Sequence, residues 1–156
     1  MITVETYIKN MNNFVKIGPY TDIGLVTDAF YVEGAIVIKY YTQEIMGFKQ
    51  WDLIDHLWSY FIDAIDEMIG GKQETSFLFP DQPLNVILRN ENRNKNALLI
   101  IIGNKKYMVD KKDFFLELLS AGNVFYQFIV QCDVSVLERI DKIREIRKKL
   151  TYCFGG

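Results

Sequence analysis

The alternation of hydrophobic and polar positions in residues 1–48 is typical of short β-strands joined by turns. This segment is rich in Val, Ile, Tyr, Phe and Thr, and it is interrupted by Gly18-Pro19, Gly24 and Gly34. The clearest predicted strand runs from Ala35 to Thr42, where β-branched and aromatic residues dominate. The segment from Tyr7 to Ile17 is ambiguous, because its asparagines favour a loop or a break within it.

A helical period replaces this alternation between Trp51 and Ile69. At about 100° per residue, the apolar side chains fall on one broad face, which predicts an amphipathic helix. That face comprises Ile54, Leu57, Trp58, Phe61, Ile62, Ile65, Met68 and Ile69. We expect Gly70-Gly71 to end the helix, since glycine is favoured just beyond a helix C-terminus.

A second group of strands is predicted in the middle of the chain. Leu84–Arg89 alternates as a strand after the turn-rich segment Phe79–Pro83. Further on, Ala97–Ile102 and Lys106–Val109 flank Gly103-Asn104-Lys105, a sequence suited to a hairpin turn.

Two more helices are predicted after this hairpin. Asp110 is placed to cap the first, with a carboxylate three residues further on. This helix is expected to bury Phe114, Leu118, Phe125, Phe128 and Ile129. Gly122 lies on the same face and would permit close approach of a neighbouring backbone. The final helix is expected from about Ser135 to Leu150, with Glu138 pairing with Lys142 and Glu145 with Lys149.

The order of elements predicts an α+β fold. We expect a mainly antiparallel sheet with two to three amphipathic helices packed on one side, because the links between strands are too short for repeated crossovers. Residues 1–156 should form a single globular domain, since no repeat or linker interrupts them. Its core is expected to contain Trp58, Phe61, Ile65, Phe114, Leu118 and Phe125.

The apolar runs, the first residues and the cysteines together predict the cellular compartment of the protein. The longest apolar run, Ala97–Ile102, is too short to cross a bilayer, and residues 1–5 show no secretory signal. With that signal missing, Cys132 and Cys153 are expected to be reduced thiols in a cytoplasmic protein. One disulfide between them is the open alternative.

Counting residue types disfavours most catalytic centres. His56 is the only histidine, so no multi-histidine zinc site can form, and the two cysteines are 21 residues apart. The sequence has no phosphate-binding loop and no Gly-x-Ser-x-Gly motif. We therefore expect no cofactor, no metal and no enzymatic activity, with His56 a solvent-exposed histidine near Asp52 and Ser59.

Charge is distributed unevenly along the chain. Residues 1–83 contain 5 Lys and Arg against 12 Asp and Glu, whereas residues 84–156 contain 13 against 8. Either the fold has an acidic and a basic face, or opposite charges meet across it. The basic residues cluster at Lys105-Lys106, Lys111-Lys112 and Arg144–Lys149. Because acidic residues interrupt them and the sequence pI is about 5.4, a nucleic-acid partner is disfavoured.

A row of polar side chains follows the helix at 51–69, opposite its apolar face. This acidic row consists of Asp52, Asp55, Ser59, Asp63, Asp66 and Glu67. No lysine or arginine lies within the helix to offset the charge, and carboxylates in its later turns oppose the helix dipole. The row is either a solvated face or a partner-binding surface.

Three segments carry a family resemblance. They are Trp51–Tyr60, the turn Phe79–Pro83 before a strand, and Asp113-Phe114-Phe115 with Gly122 and Phe125-Tyr126. Across residues 35–130 this pattern resembles small immunity proteins of bacterial polymorphic-toxin and contact-dependent growth inhibition systems. The resemblance implies a cytoplasmic, non-catalytic protein that binds and neutralises a cognate toxin. It transfers no contact residues.

Many such toxins are nucleases, which must present basic groups to nucleic-acid phosphates. The acidic row is therefore the surface expected to bind the toxin, with carboxylates pairing with its arginines. The alternative from another functional class is a small-ligand-binding or carboxylate-based enzyme domain whose site lies between sheet and helices. A regulatory adaptor for some other protein is a third possibility.

Overall fold

Nine strands and three helices make up the fold in a computed structural model that describes residues 1–153. The strands are β1 Ile2–Asn10, β2 Asn13–Lys16, β3 Glu33–Tyr40, β4 Gln43–Met46, β5 Asp52–Leu53, β6 Glu74–Leu78, β7 Asn85–Asn90, β8 Ala97–Ile102 and β9 Lys105–Asp110. The helices are α1 Ile54–Ile69, α2 Lys111–Ile129 and α3 Leu137–Cys153. These elements confirm the predicted α+β class.

The first sheet contains β1 to β5. Its strands follow the order β2-β1-β3-β4, with β5 also paired with β3, and every pairing is antiparallel. The ambiguous segment at 7–17 is a hairpin, because the chain turns at Met11 and Asn12 with a positive φ of 59° at Met11. A loop from 17 to 32 then leads to β3.

The second sheet contains β6 to β9 in sequential order, again fully antiparallel. The predicted hairpin at 97–109 is confirmed, and Gly103 occupies its turn at a φ of +61°. We expected one sheet, whereas the strands divide into two. Helix α1 connects the two sheets. Its 16 residues stand where a single continuous antiparallel sheet would have a short turn between neighbouring strands.

Helices α1 and α2 supply the centre of the core, as predicted. The six core residues expected from the sequence are at most 1 % exposed. The Trp58 indole N–H donates to the Thr6 hydroxyl at 3.2 Å, which links α1 to β1. Asp110 caps α2 by accepting the Asp113 N–H at 2.9 Å. A Cβ at Gly122 would lie 3.1 Å from Ile62 and 3.2 Å from Trp58, so side chains of α1, and not a neighbouring backbone as expected, pack closely against this glycine.

Helix α3 packs on α1 and α2 through one apolar face. Its buried side chains are Ile140, Ile143, Ile146 and Leu150. The predicted pairing within α3 is wrong. Lys142 and Lys149 reach across to carboxylates of α1, while Glu145 pairs with Lys148 at 3.3 Å. They do so because both lysines lie beside the face that contacts α1.

The predicted start of α1 was wrong by three residues, whereas the prediction for the cysteines was confirmed. The helix predicted from Trp51 begins three residues later, because Asp52 and Leu53 form β5 first. Cys132 and Cys153 are exposed free thiols, as expected. Among residues 1–153, no helix is both long and apolar enough to cross a membrane.

Candidate functional site

The C-terminal half of the acidic row is paired with α3. The Asp63 carboxylate accepts hydrogen bonds from Arg139 at 2.7 Å and Lys142 at 2.6 Å. Asp66 lies 3.7 Å from Lys142 and 3.3 Å from Lys149. The expectation of an uncompensated row is therefore wrong, because the offsetting cations come from another helix. The alternative that opposite charges meet across the fold describes this region.

These contacts determine the pKa of the Asp63 carboxyl group. Partial burial by itself would raise the pKa of the Asp63 carboxyl, but the hydrogen bonds and charges of Arg139 and Lys142 outweigh burial. The pKa of Asp63 consequently lies below its ordinary value. Its partner Arg139 has a raised pKa, in which the contact with Asp63 outweighs burial. We call these contacts of Asp63 and Asp66 with Arg139, Lys142 and Lys149 the α1–α3 ion cluster.

Glu67, at the end of the row, contacts the start of the second sheet. Its carboxylate accepts from the Thr75 hydroxyl at 2.5 Å and lies 3.2 Å from Lys72. These hydrogen bonds lower the pKa of the Glu67 carboxyl. Glu67 therefore also has partners within the chain.

Asp52 stands apart from the row, because it lies in β5 and is only 3 % exposed. Its carboxylate accepts the N–H of Leu53 at 2.7 Å and the N–H of Asp81 at 3.1 Å. The second contact ties the loop at 79–84 to the start of α1. Burial of this charge is tolerated because backbone donors satisfy it.

Asp55 fixes the end of the 17–32 loop against α1. Its Oδ1 accepts the Val32 N–H at 3.1 Å, and the Ile54 N–H donates to the Val32 carbonyl at 2.8 Å. Burial raises the pKa of the Asp55 carboxyl, and the Val32 N–H and the nearby His56 only partly offset that effect. This pair of hydrogen bonds sets the positions of Phe30 and Tyr31, just before Val32.

A cleft of about 330 Å³ opens beside Asp55, between α1, the second half of α2 and the start of α3. We call it the Asp55 cleft. Its lining includes Phe30, Asp55, His56, Ser59, Tyr126 and Arg139. Asp55 and Ser59 are thus the two members of the acidic row that share a cavity. His56 is a surface histidine, as expected, although its neighbouring carboxylate is Asp55 at 3.5 Å rather than Asp52.

Tyr126 gives the Asp55 cleft an unusual polar group. The residue is 3 % exposed, and its hydroxyl is the one buried side-chain oxygen or nitrogen in residues 1–153 with no hydrogen-bond partner. Burial raises the pKa of this phenol, on which the charges of Arg139, Asp63 and Asp55 also act. Sequence reasoning treated this tyrosine only as part of the family resemblance, because a buried hydroxyl leaves no sequence signal.

A second depression, of about 350 Å³, is lined by Tyr31, the neighbour of Phe30 in the chain. We call it the Trp51 depression. Its lining includes Tyr31, Glu33, Lys49, Trp51, Asp52 and Asp81. Tyr31 is 55 % exposed and Trp51 39 % exposed, with the Lys9 ammonium 4.6 Å from the Trp51 ring centroid. Three carboxylates and one lysine make this lining negative.

Phe30 and Tyr31 were not among the residues predicted from the sequence to form a site. They follow a turn-rich stretch, and consecutive aromatic residues there resemble the start of a buried strand. Instead, both are exposed, Phe30 at 68 %. Their position in a loop just before a predicted strand was the available signal.

Residues 1–153 contain no group of three or more His, Cys, Asp or Glu side chains arranged to hold a metal ion. The chain also matches no family model, no curated protein and no solved structure. The interpretation of both cavities therefore depends on side-chain geometry and charge.

Proposed function

We propose that this protein is a non-catalytic binding protein, specifically an immunity protein that binds and neutralises a cognate bacterial toxin domain. The observation that carries the proposal is the Trp51 depression, where two exposed aromatic rings flank a negatively charged cavity. Tyrosine and tryptophan are enriched among the residues that dominate protein–protein affinity. Single apolar residues scattered over a protein surface are common and do not indicate a binding site.

The chemistry of the depression favours a basic partner. An arginine or lysine side chain can lie against the exposed ring of Tyr31 while Glu33 and Asp81 attract its charge. A nuclease toxin offers such residues, because it must bind nucleic-acid phosphates. The proposal therefore moves the partner-binding surface from the acidic row to the Trp51 depression and leaves Asp52 as their one shared member.

The α1–α3 ion cluster supports this reassignment. Carboxylates already hydrogen-bonded to Arg139 and Lys142 offer less charge to a partner, and a partner would first have to displace these contacts. No such competition exists at Glu33 and Asp81, for which the described residues show no ion pair. A surface that needs no rearrangement loses less affinity on binding.

Growth protection tests the proposal. Cells expressing a toxin-bearing open reading frame that neighbours the gene for this protein should survive only when the protein is co-expressed. Tyr31→Ala with Trp51→Ala should abolish protection, because truncated anchor residues typically cost about 2 kcal/mol or more each. Tyr152→Ala is the matched control, since Tyr152 is 89 % exposed but does not line the depression. Equal killing with and without the unaltered protein would contradict the proposal.

A further inference from the structure

We propose that the Asp55 cleft is a separate binding site for a small organic cation, a guanidinium or primary ammonium group carried on a short apolar chain. This site is distinct from the Trp51 depression and does not depend on the toxin-neutralising function. Three observations support it: an unpartnered buried hydroxyl, a carboxylate poorly solvated by water, and an apolar wall.

The Tyr126 hydroxyl is the first observation. A buried polar group without a hydrogen bond destabilises the folded state, so native proteins rarely retain one without a reason. Tyr126 lines the cleft together with Asp55 and Arg139, and the charges of both residues act on its hydroxyl. A ligand N–H donating to the phenol oxygen would satisfy it.

The charged residues that line the cleft favour a positively charged ligand. Carboxylates of Asp55, Asp133 and Glu138 line the cleft against a single arginine. That arginine, Arg139, is already bound to Asp63 at 2.7 Å. Asp133 accepts hydrogen bonds from the N–H and hydroxyl of Ser135, which leaves the Asp55 carboxylate as the better anchor. An anion would meet net repulsion here, whereas a cation would not.

The Asp55 carboxylate has unused capacity for such a ligand. Its Oδ1 accepts the Val32 N–H, its Oδ2 lies 3.5 Å from the His56 Nε2, and the backbone N–H groups of Asp55 and His56 also act on the carboxylate. A carboxylate can accept several hydrogen bonds, so a guanidinium or ammonium donor fits this oxygen. The Ser59 side chain, one turn along α1, lines the same cleft and offers a hydroxyl to a ligand.

The remaining lining explains the apolar chain. Phe30, Phe125, Ile129 and Val136 form a hydrophobic wall beside these polar groups. A cavity of about 330 Å³ is at the lower end of the range for small-molecule sites. The site therefore suits a ligand with one cationic head and a few carbon atoms, in contact with aromatic side chains.

Titration of the isotopically labelled full-length protein with n-butylguanidinium, monitored by NMR, tests the site. We expect saturable shifts of the Val32, His56 and Ser59 amide signals at about millimolar ligand, as suits so small a molecule. The neutral analogue n-butanol should give none. Asp55→Asn keeps an oxygen for Val32 and should weaken binding about tenfold or more, and Tyr126→Phe about twofold to tenfold.

The matched control is Asp66→Asn, which removes a carboxylate from α1 outside the cleft. The same titration with acetyl-Gly-Arg-Gly-amide distinguishes a free small molecule from an arginine side chain of a larger partner, according to which binds more tightly. Binding that is absent for both cations, or that Asp66→Asn weakens as much as Asp55→Asn, would overturn the proposal. Failure here leaves the growth-protection result unaffected.

Discussion

Gly122 controls the distance between α1 and α2 at the centre of the core. The nearest atoms to a Cβ at this position belong to Ile62 and Trp58, both fully buried. Trp58 is also held by its hydrogen bond to Thr6, so its ring cannot shift without breaking a contact with β1. A side chain larger than hydrogen must therefore displace packed and hydrogen-bonded neighbours.

We expect Gly122→Val to lower the free energy of unfolding by about 1–3 kcal/mol, the usual cost of overpacking a core. Chemical denaturation measures this change. Gln127→Val places the same side chain at an exposed position of α2 and should change stability by less than about 0.5 kcal/mol. Equal losses in the two variants would show that the packing around Gly122 does not determine the effect.

At the scale of elements, α3 is attached by an apolar face and the α1–α3 ion cluster. The cluster depends on pH, because the pKa of the Asp63 carboxyl is lower in the folded protein than its ordinary value. Such a group stabilises the folded state above the unfolded-state pKa, and that contribution is lost as pH falls through the folded-state pKa. Since Asp63 is 41 % exposed, solvent screening limits the contribution.

Asp63→Asn should therefore lower stability at neutral pH by at most about 1 kcal/mol. As pH falls below about 4, the ordinary pKa of an aspartate, the difference from the unaltered protein should begin to shrink. It should disappear once pH falls through the lower folded-state pKa of Asp63, because the carboxyl is then neutral like the asparagine. Thermal melts across this pH range provide the measurement. Asp141→Asn is the control, as Asp141 is 68 % exposed and pairs only with Arg144 of the same helix. A difference that grows on acidification would contradict the assigned role.

Local signals in the sequence predicted much of the fold. Apolar periodicity identified the buried face of α1, and Asp110 and Gly103 identified a helix cap and a hairpin turn from their own chemistry. Contacts between distant segments could not be predicted in this way. Asp63 and Lys142 are 79 residues apart, and each has nearer residues of opposite charge, so the sequence favoured the wrong pairs.

The candidate sites were less accessible to sequence reasoning. Three residues of the acidic row line the two cavities, namely Asp52, Asp55 and Ser59. The helical spacing in the sequence predicted instead that all three lie on one surface. The fold separates them, because β5 buries Asp52 and the Val32 contacts draw Asp55 toward the loop. The roles of Tyr31 and Tyr126 depend on their surroundings in the fold, which no spacing encodes.

At the scale of the whole molecule, the Phe30-Tyr31 segment contributes to two negatively charged cavities, because Phe30 lines the Asp55 cleft and Tyr31 lines the Trp51 depression. Its position depends on Asp55 and on the pairing of Val32 with Ile54 at the start of α1. The same hydrogen bonds at Val32 therefore hold a wall of both cavities in place, although the cavities are proposed to bind different ligands. A partner that contacts Tyr31 would also approach Phe30, at the edge of the Asp55 cleft.

Surface plasmon resonance with the toxin domain against which the protein protects growth tests the central proposal, that the Trp51 depression is the toxin-binding surface. Trp51→Ala should raise Kd by about tenfold or more, and Glu33→Gln should slow association, more so at low salt. Tyr152→Ala should bind like the unaltered protein. Unchanged affinity of Trp51→Ala for a toxin that the unaltered protein binds tightly would contradict this account.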